Sequence, residues 1–238
     1  MSAVDEQCFG VRIARATMVQ PDDVDAVLDF CRTQKVKMVI ARCKTEDLAA
    51  AQRMEREGFL LMDTLVYFAR DLTKGTLPAD PQTTLIRYLR PGEAEQVRKI
   101  ASLIYAGYRG HYSADPRLDR QKCDEAYISW SYNCCVSKAA DEVIVMPDGP
   151  ELVAFVTLHK VSDQEGNIGV GGVSPAAQGR GLYQALIVKG MEWFAEREVP
   201  RLVLSTQIIN RAVQKVWCRL GFEPSGSVYT FHKWFDQL

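Results

Sequence analysis

The sequence predicts a mixed α/β fold, because stretches of alternating apolar residues take turns with stretches of helical apolar spacing. Its 238 residues suffice for one large domain or two small ones, each able to bury a core. A polar segment with several turn formers, "DLTKGTLPADPQTT" at residues 71–84, is typical of a linker. We therefore expect a first domain over residues 1–72, a linker over 73–84 and a second domain over 85–238.

Each element follows from its own local pattern. The run "VDAVLDFC" has helical spacing, "KMVIARC" is rich in strand formers, and "PDGP" is typical of a hairpin turn. Before the linker, the patterns predict a helix over 22–34, a strand over 37–43, a helix over 46–57 and a strand over 60–69. After it, they predict strands over 85–89, 142–146, 152–161, 167–173, 201–206 and 229–234, and helices over 93–108, 121–135, 181–197 and 211–220.

An internal repeat relates the two ends of the chain. "FCRTQKVKMVIARC", starting at Phe30, matches "FAEREVPRLVLSTQ", starting at Phe194. The later matches are Gly58-Phe59 with Gly221-Phe222 and Phe68 with Phe231. The sequence thus predicts a helix–strand–helix–strand unit that occurs twice, with a truncated first copy; chance similarity between two strand–helix units is the alternative.

Composition limits the partners and the compartment. The charges of the 29 basic and 30 acidic residues nearly cancel, and the basic residues form no continuous block. This composition disfavours nucleic-acid binding. The start "MSAVDEQCFG" lacks the positive and apolar regions of a secretory signal, and no apolar run reaches the roughly 18 residues of a membrane span. Seven scattered cysteines without CxxC pairs suit reduced thiols. We expect a cytoplasmic protein with a small-molecule partner, no membrane insertion and no metal.

The stretch "VSPAAQGRGLYQALI" at 173–187 predicts an anion-binding turn between a strand and a helix. The first N–H groups of a helix lack partners and carry partial positive charge, glycine permits close approach, and Arg180 adds a charged contact. A P-loop is absent, and the Gly169–Gly171 pair fails the dinucleotide pattern because Ser174 follows it. The pattern Q/R-x-x-G-x-G/A remains, running from Gln178, with Tyr183 at its last, normally small, position.

Residues 84–235 resemble the GNAT superfamily of acyl-CoA N-acyltransferases. The resemblance is carried by "QGRGLYQALI" and by "NRAVQKVWCRLGF", which has the N-x-x-[AV]-x7-G-F spacing from Asn210 to Phe222. It implies a GNAT fold, with a central, mostly antiparallel sheet, splayed strands and flanking helices, in which the loop binds the diphosphate of acetyl-CoA or a related acyl-CoA. The cofactor-binding residues it implies are Gly172, Val173, Gln178, Gly179, Arg180, Gly181, Leu182, Tyr183 and Asn210.

Two longer segments, "YAGYRGHYSADPRLDRQKCDEAYISWSYN" and "LVLSTQIINRAVQKVWCRLG", are similar to GNAT enzymes that acetylate the 4-amine of dTDP-linked fucosamine. Those enzymes also carry a degenerate N-terminal half. The resemblance implies a nucleotide-linked amino sugar of surface polysaccharide as the acceptor. Another small amine, or a catalytically silent CoA-binding module, is the alternative.

One position departs from the family pattern. The residue seven after Asn210, usually a tyrosine that protonates the leaving thiolate, is Trp217, whose indole donates a hydrogen bond but does not usefully release its proton. The other catalytic candidates are backbone N–H groups of residues 170–173, Gly171 among them, as oxyanion donors, and Tyr229 and His232 as proton acceptors or sugar contacts. The acceptor-binding candidates are His111, Tyr112, Asp115, His159 and Gln207. His159 is also typical of a histidine that faces solvent or already has a hydrogen-bond partner, and the side chain of His232 could point into the cleft or away from the core. The last strand could add to the sheet of a second copy in a homodimer.

Overall fold

The computed structural model describes residues 1–137 and 139–235, which form one nine-stranded sheet between two layers of helices. The helices are α1 (Ala3–Phe9), α2 (Asp23–Thr33), α3 (Leu48–Arg56), α4 (Ala94–Ile104), α5 (His111–Ala114), α6 (Arg120–Val136), α7 (Leu182–Ala195) and α8 (Arg211–Arg219). The strands are β1 (Ile13–Ala16), β2 (Met38–Lys44), β3 (Leu60–Asp71), β4 (Arg87–Tyr88), β5 (Glu142–Asp148), β6 (Glu151–Lys160), β7 (Glu165–Val173), β8 (Arg201–Gln207) and β9 (Glu223–Trp234).

The strand order is β1-β2-β9-β3-β8-β7-β6-β5-β4. Within the described sheet, only β1 with β2 and β7 with β8 run parallel, and the other neighbours are antiparallel. This architecture confirms the predicted fold class, a mostly antiparallel sheet with flanking helices.

Alternation along the strands divides the core between the two faces of the sheet. On β2, Met38 and Ile40 pack in a cluster with α1 and α6, while Val39 and Ala41 pack with α2 and α3. On β5, Val143 packs with α4, and the other face packs with α7. Helices α1, α4, α5 and α6 therefore cover one face, called here the front face, and α2, α3, α7 and α8 cover the back face.

The repeat seen in the sequence corresponds to an approximate two-fold relation within the sheet. Strand β9, from the end of the chain, lies between β2 and β3 from its beginning, and the neighbours on either side of the β3–β9 pair correspond in order and direction. Leu65 pairs directly with Val228, its counterpart under the offset that relates Gly58 to Gly221. Residues 1–72 and 85–238 thus share one sheet, and their division into two domains stays a prediction.

Most of the longer elements match the expected ones within a few residues, but β9 begins at Glu223, six residues before the strand expected over 229–234, and the short elements differ. Helix α1, strand β1 and helix α5 are not predicted, because each is too short for its apolar period to repeat. The strand expected over 85–89 is reduced to Arg87–Tyr88, after a 3-10 turn over Pro81–Leu85. In the described part of the chain, no helix has the length and apolar character needed to cross a bilayer.

Candidate active site

The site is organised by a split between two strands of the sheet. Strand β7 pairs with β8 only over Glu165–Asn167, although both strands continue well beyond that point. A bulge interrupts the pairing of β7 with β6 at the same level. Between their carboxyl ends, β7 and β8 therefore leave an opening in the sheet, which is the splay that the family resemblance implies.

The glycine loop lies at the end of β7, directly before α7. Gly179 and Gly181 both adopt left-handed backbone conformations, with φ of 78° and 79°, and Gly181 is the N-cap of the 14-residue helix α7. The loop from Gln178 to Gly181 is exposed, whereas Leu182 is buried and anchors the helix. The first N–H groups of α7 thus face an exposed, positively polarised corner that can accept a phosphate.

Neighbouring segments hold this loop in place. Gln82, in the segment expected as a linker, donates to the carbonyl of Arg180 at 3.3 Å, and Gln178 donates to the carbonyl of Val173 at 3.3 Å. The Arg180 guanidinium pairs with Asp148 at 2.7 Å on the surface. The charge of Arg180 therefore lies beside the loop, in an exposed ion pair of the kind that contributes little to stability.

Tyr183 and Trp217, the two departures from the family pattern, contact each other. The indole Nε1 of Trp217 donates to the Tyr183 hydroxyl at 3.2 Å. Trp217 itself is buried against Phe68, with ring centroids 5.6 Å apart. Burial raises the pKa of Tyr183, although the hydrogen bond from Trp217 opposes the shift, so the phenol is neutral near pH 7.

A group of tyrosines lines the front-face side of the opening. The Gly171 N–H donates to the Tyr105 hydroxyl at 3.1 Å, so an acyl oxygen that used this donor would share it with Tyr105 or displace it. Tyr105 stacks with Tyr127 at 5.1 Å and meets Tyr108 edge-on at 5.3 Å. The Tyr108 hydroxyl donates to the Gln207 side chain. Gly171, on β7, and Gln207, on β8, are thus linked to one aromatic cluster.

The other predicted cofactor contacts lie around the same opening. Asn210, the N-cap of α8, donates through Nδ2 to Thr206 Oγ1 at 3.0 Å. Gly172 lies against Ile104, because a Cβ there would come within 3.2 Å of that side chain. The structure therefore brings the loop, the end of β7 and the start of α8 to one place, where a bound acyl-CoA could contact all three.

Two predicted acceptor-binding residues, His111 and Asp115, form a buried chain of hydrogen bonds with the catalytic candidate His232. Asp115 Oδ2 bonds His232 Nδ1 at 2.8 Å, and His232 Nε2 bonds His111 Nδ1 at 2.9 Å. Burial acts to raise the pKa of Asp115, but hydrogen bonds from His232 and Trp234 outweigh it and hold this pKa below its usual value. Burial, with the nearby charges of His232, Arg42 and Arg15, keeps the pKa of His111 well below its usual value.

Tyr112 neighbours this chain but is engaged elsewhere. Its hydroxyl donates to Asp5 at 2.6 Å and accepts from Arg15, whose guanidinium also pairs with Asp5. The Tyr112 side chain is buried against Phe9. In this structure Tyr112 thus contributes to the attachment of α1, and its hydroxyl is already satisfied.

Two predicted site residues, Tyr229 and His159, lie away from the hydrogen-bond chain of Asp115, His232 and His111. Tyr229 lies on the back face, packed on the cluster of α2 and α3 and beside Phe231, whereas His232 points to the front face. His159 pairs with Asn167 at the closed end of β7 and hydrogen-bonds Thr157 at 2.9 Å. The structure therefore assigns the front face to His232 and separates Tyr229 and His159 from His111 and Asp115.

Sequence patterns miss one residue at this site, Asp63 on β3. It lies directly across from Thr230 on β9, on the face that carries His232. Its Oδ2 atom is buried without a hydrogen-bond partner among the described residues, and burial raises its pKa to about 6. A carboxylate inside the apolar strand "LLMDTLVYF" is the signal that could have pointed to it.

The split strand pair and the exposed glycine loop at the start of α7 define an α/β protein with an opened central sheet. The chain belongs to the GNAT acetyltransferase family, whose model, described as "Acetyltransferase (GNAT) family", matches residues 102–222.

Curated relatives and solved structures agree with this membership. The chain is 22% identical over 201 residues to the spore coat polysaccharide biosynthesis protein SpsD of Bacillus subtilis (82% of this chain, 66% of SpsD), and 28% identical over 155 residues to a mycothiol acetyltransferase of Nocardioides sp. (60% and 50%). A GCN5-related N-acetyltransferase from Sphaerobacter thermophilus shares the fold, with a TM-score of 0.63 at 18% identity over 89% of this chain and 66% of that one. This chain thus spans about half to two thirds of the length of these relatives.

Proposed function

We propose that this protein transfers an acetyl group from acetyl-CoA to a primary amine of a small molecule. The observation that carries the proposal is the opening between β7 and β8, which ends at an exposed, glycine-rich loop on the N-terminus of α7. In this proposal the pantetheine arm lies in the opening, and the diphosphate lies on the unpaired amides of the loop beside Arg180.

The residues around the opening match the needs of acyl transfer. A thioester carbonyl beside β7 would be polarised by the Gly171 N–H. Tyr183 is the candidate general acid for the leaving thiolate, in place of the tyrosine expected at position 217. Because its oxygen accepts from Trp217, the O–H of Tyr183 is left free to donate elsewhere.

The acceptor is proposed to be a nucleotide-linked amino sugar. The similarity to SpsD, a spore coat polysaccharide biosynthesis protein, supports an amine of a surface sugar as the acceptor. On the front face beside the opening, Asp63 offers a carboxylate, and Tyr108 and Gln207 offer hydrogen-bonding groups, to such a ligand. A cytoplasmic location and a homodimer remain predictions.

Turnover with a panel of amines tests the proposal. Release of the CoA thiol would be followed with acetyl-CoA and dTDP- or UDP-linked 3- and 4-amino sugars, UDP-glucosamine and spermidine. We expect turnover with an amino sugar nucleotide above all others. Preference for spermidine would favour a different small amine, and tight acetyl-CoA binding without turnover of any amine would favour a silent CoA-binding module.

A further inference from the structure

Asp63 is placed beside the opening by an irregularity in its strand. Leu61 pairs with Phe231 and Asp63 pairs with Thr230, so Met62 is an extra residue in β3. In a regular strand, the alternation would have put Asp63 on the back face with Phe231. The bulge instead turns the carboxylate to the front face, between the two halves of the sheet.

The surroundings of Asp63 leave its carboxylate only half satisfied. Oδ1 accepts from the Thr64 backbone N–H at 2.7 Å, whereas Oδ2 is buried and has no partner in the described part of the chain. Arg42, whose charge acts on Asp63, donates to Thr230 Oγ1 at 3.2 Å rather than to the carboxylate. A buried oxygen without a partner is costly, so Oδ2 favours a hydrogen-bond donor from outside the chain.

The same carboxylate lies close to the aromatic cluster of the opening. Burial, followed by the charge of Asp63, raises the pKa of Tyr108 to about 12, and the charge of Asp63 also contributes to the raised pKa of Tyr127. Tyr108 bonds Gln207, and Gln207 lies across from Leu65, two residues after Asp63. Asp63 therefore faces the opening from the first half of the chain, while Gly171 faces it from the second half.

We propose that Asp63 binds the amino group of the acceptor and takes its proton during acetyl transfer. The inference rests on the acetyl transfer proposed above and adds the first half of the chain to the active site. As the amine nitrogen bonds to the thioester carbonyl carbon, the carbon–sulfur bond breaks and the leaving thiolate takes a proton from Tyr183, which solvent then replaces. The extra proton on nitrogen passes to Asp63 Oδ2 and from there to solvent.

Other charged and titratable groups share this part of the front face. They are Arg42 from β2, His232 from β9, His111 from α5, Tyr108 after α4 and Tyr127 from α6. Of these, Arg42 acts to lower the pKa of Asp63, but burial outweighs it. With a pKa of about 6, Asp63 is ionised at neutral pH and is still basic enough to accept a proton from an ammonium-like nitrogen.

Asp63→Asn, Asp63→Glu and the control Asp71→Asn test the proposal. Asp71 ends the same strand but is half-exposed and paired with Lys74 at 3.2 Å. With acetyl-CoA and a dTDP-linked 4-amino-4,6-dideoxyhexose, we expect Asp63→Asn to lower kcat/KM by about 100-fold or more. Asp63→Glu should recover part of this loss, Asp71→Asn should match the wild type, and calorimetry should give all four proteins the same affinity for acetyl-CoA.

A pH profile separates a proton acceptor from a structural residue. The ratio of wild-type to Asp63→Asn kcat/KM cancels the titration of the amine itself. This ratio should be constant above pH 7 and fall by up to about tenfold per pH unit below about 6, as Asp63 becomes protonated. A ratio independent of pH, or wild-type activity in Asp63→Asn, overturns the role of Asp63 alone. Failure of the wild type to acetylate any amine of the panel overturns the proposed function and this inference together.

Discussion

Trp217 donates its indole N–H to the Tyr183 hydroxyl at 3.2 Å, so the two residues that depart from the family pattern form one pair. A tryptophan stands where a tyrosine is usual, and a tyrosine stands where a small residue is usual. Tyr183 lies near Tyr105 and Tyr108: it contributes to the raised pKa of Tyr105, and Tyr108 contributes to its own raised pKa. The Trp217–Tyr183 pair therefore reaches the opening. The acid function expected at position 217 can thus be supplied from α7.

Tyr183→Phe tests this exchange of roles. Because phenylalanine has no proton to give, we expect kcat to fall by about 100-fold, within the range of general acid catalysis, with acetyl-CoA affinity unchanged. Trp217→Phe should give a smaller loss in kcat, since it keeps the phenol and removes the hydrogen bond that orients it, and it should also lower thermal stability because it leaves space beside Phe68. Steady-state kinetics would measure both variants, with Tyr88→Phe, an exposed strand residue, as the control. Full activity in Tyr183→Phe would exclude this residue as the acid.

Gly181→Asp tests the anion-binding loop. A side chain at φ of 79° is strained, a Cβ would lie 3.2 Å from Gln82 Nε2, and the carboxylate would repel the diphosphate. We expect acetyl-CoA affinity to fall by about 100-fold or more in calorimetry. Gly92→Asp is the matched control, because Gly92 also has a positive φ but lies in open space. Both should lose similar thermal stability, and equal acetyl-CoA affinities in the two would contradict the assigned loop.

The buried histidine chain predicts a dependence of stability on pH. The pKa of His111 is depressed in the folded state, so the unfolded chain binds a proton that the folded chain does not as pH falls below about 6.5. The free energy of unfolding should therefore decrease on acidification from pH 7 to 5, by up to about 1.4 kcal/mol per pH unit for this group.

Urea unfolding of the wild type and His111→Gln at several pH values would measure this dependence. The variant lacks the titrating group, so its stability should change less over the same range. Equal slopes for the two proteins would show that His111 titrates alike in both states.

Much of the fold follows from local patterns, because long runs such as that of α7 repeat their apolar period several times. The glycine loop is also predictable from sequence, since the left-handed backbone conformation of residues 179 and 181 favours glycine at both positions. The residues proposed to bind the acceptor amine are only partly predictable from sequence. The contact of His232 with His111 depends on the insertion of β9 between β2 and β3, a pairing that no local pattern encodes. Asp63 was missed because the bulge at Met62 changes which face it occupies.

Hydrogen exchange with and without acetyl-CoA tests the central claim most directly, because it reports where the ligand contacts the backbone of the intact protein. We predict slower exchange in peptides that cover residues 170–185, at the end of β7 and the start of α7, and no slowing in the equivalent part of the first half, residues 16–26. Slower exchange confined to other segments, with residues 170–185 unaffected, would contradict the account.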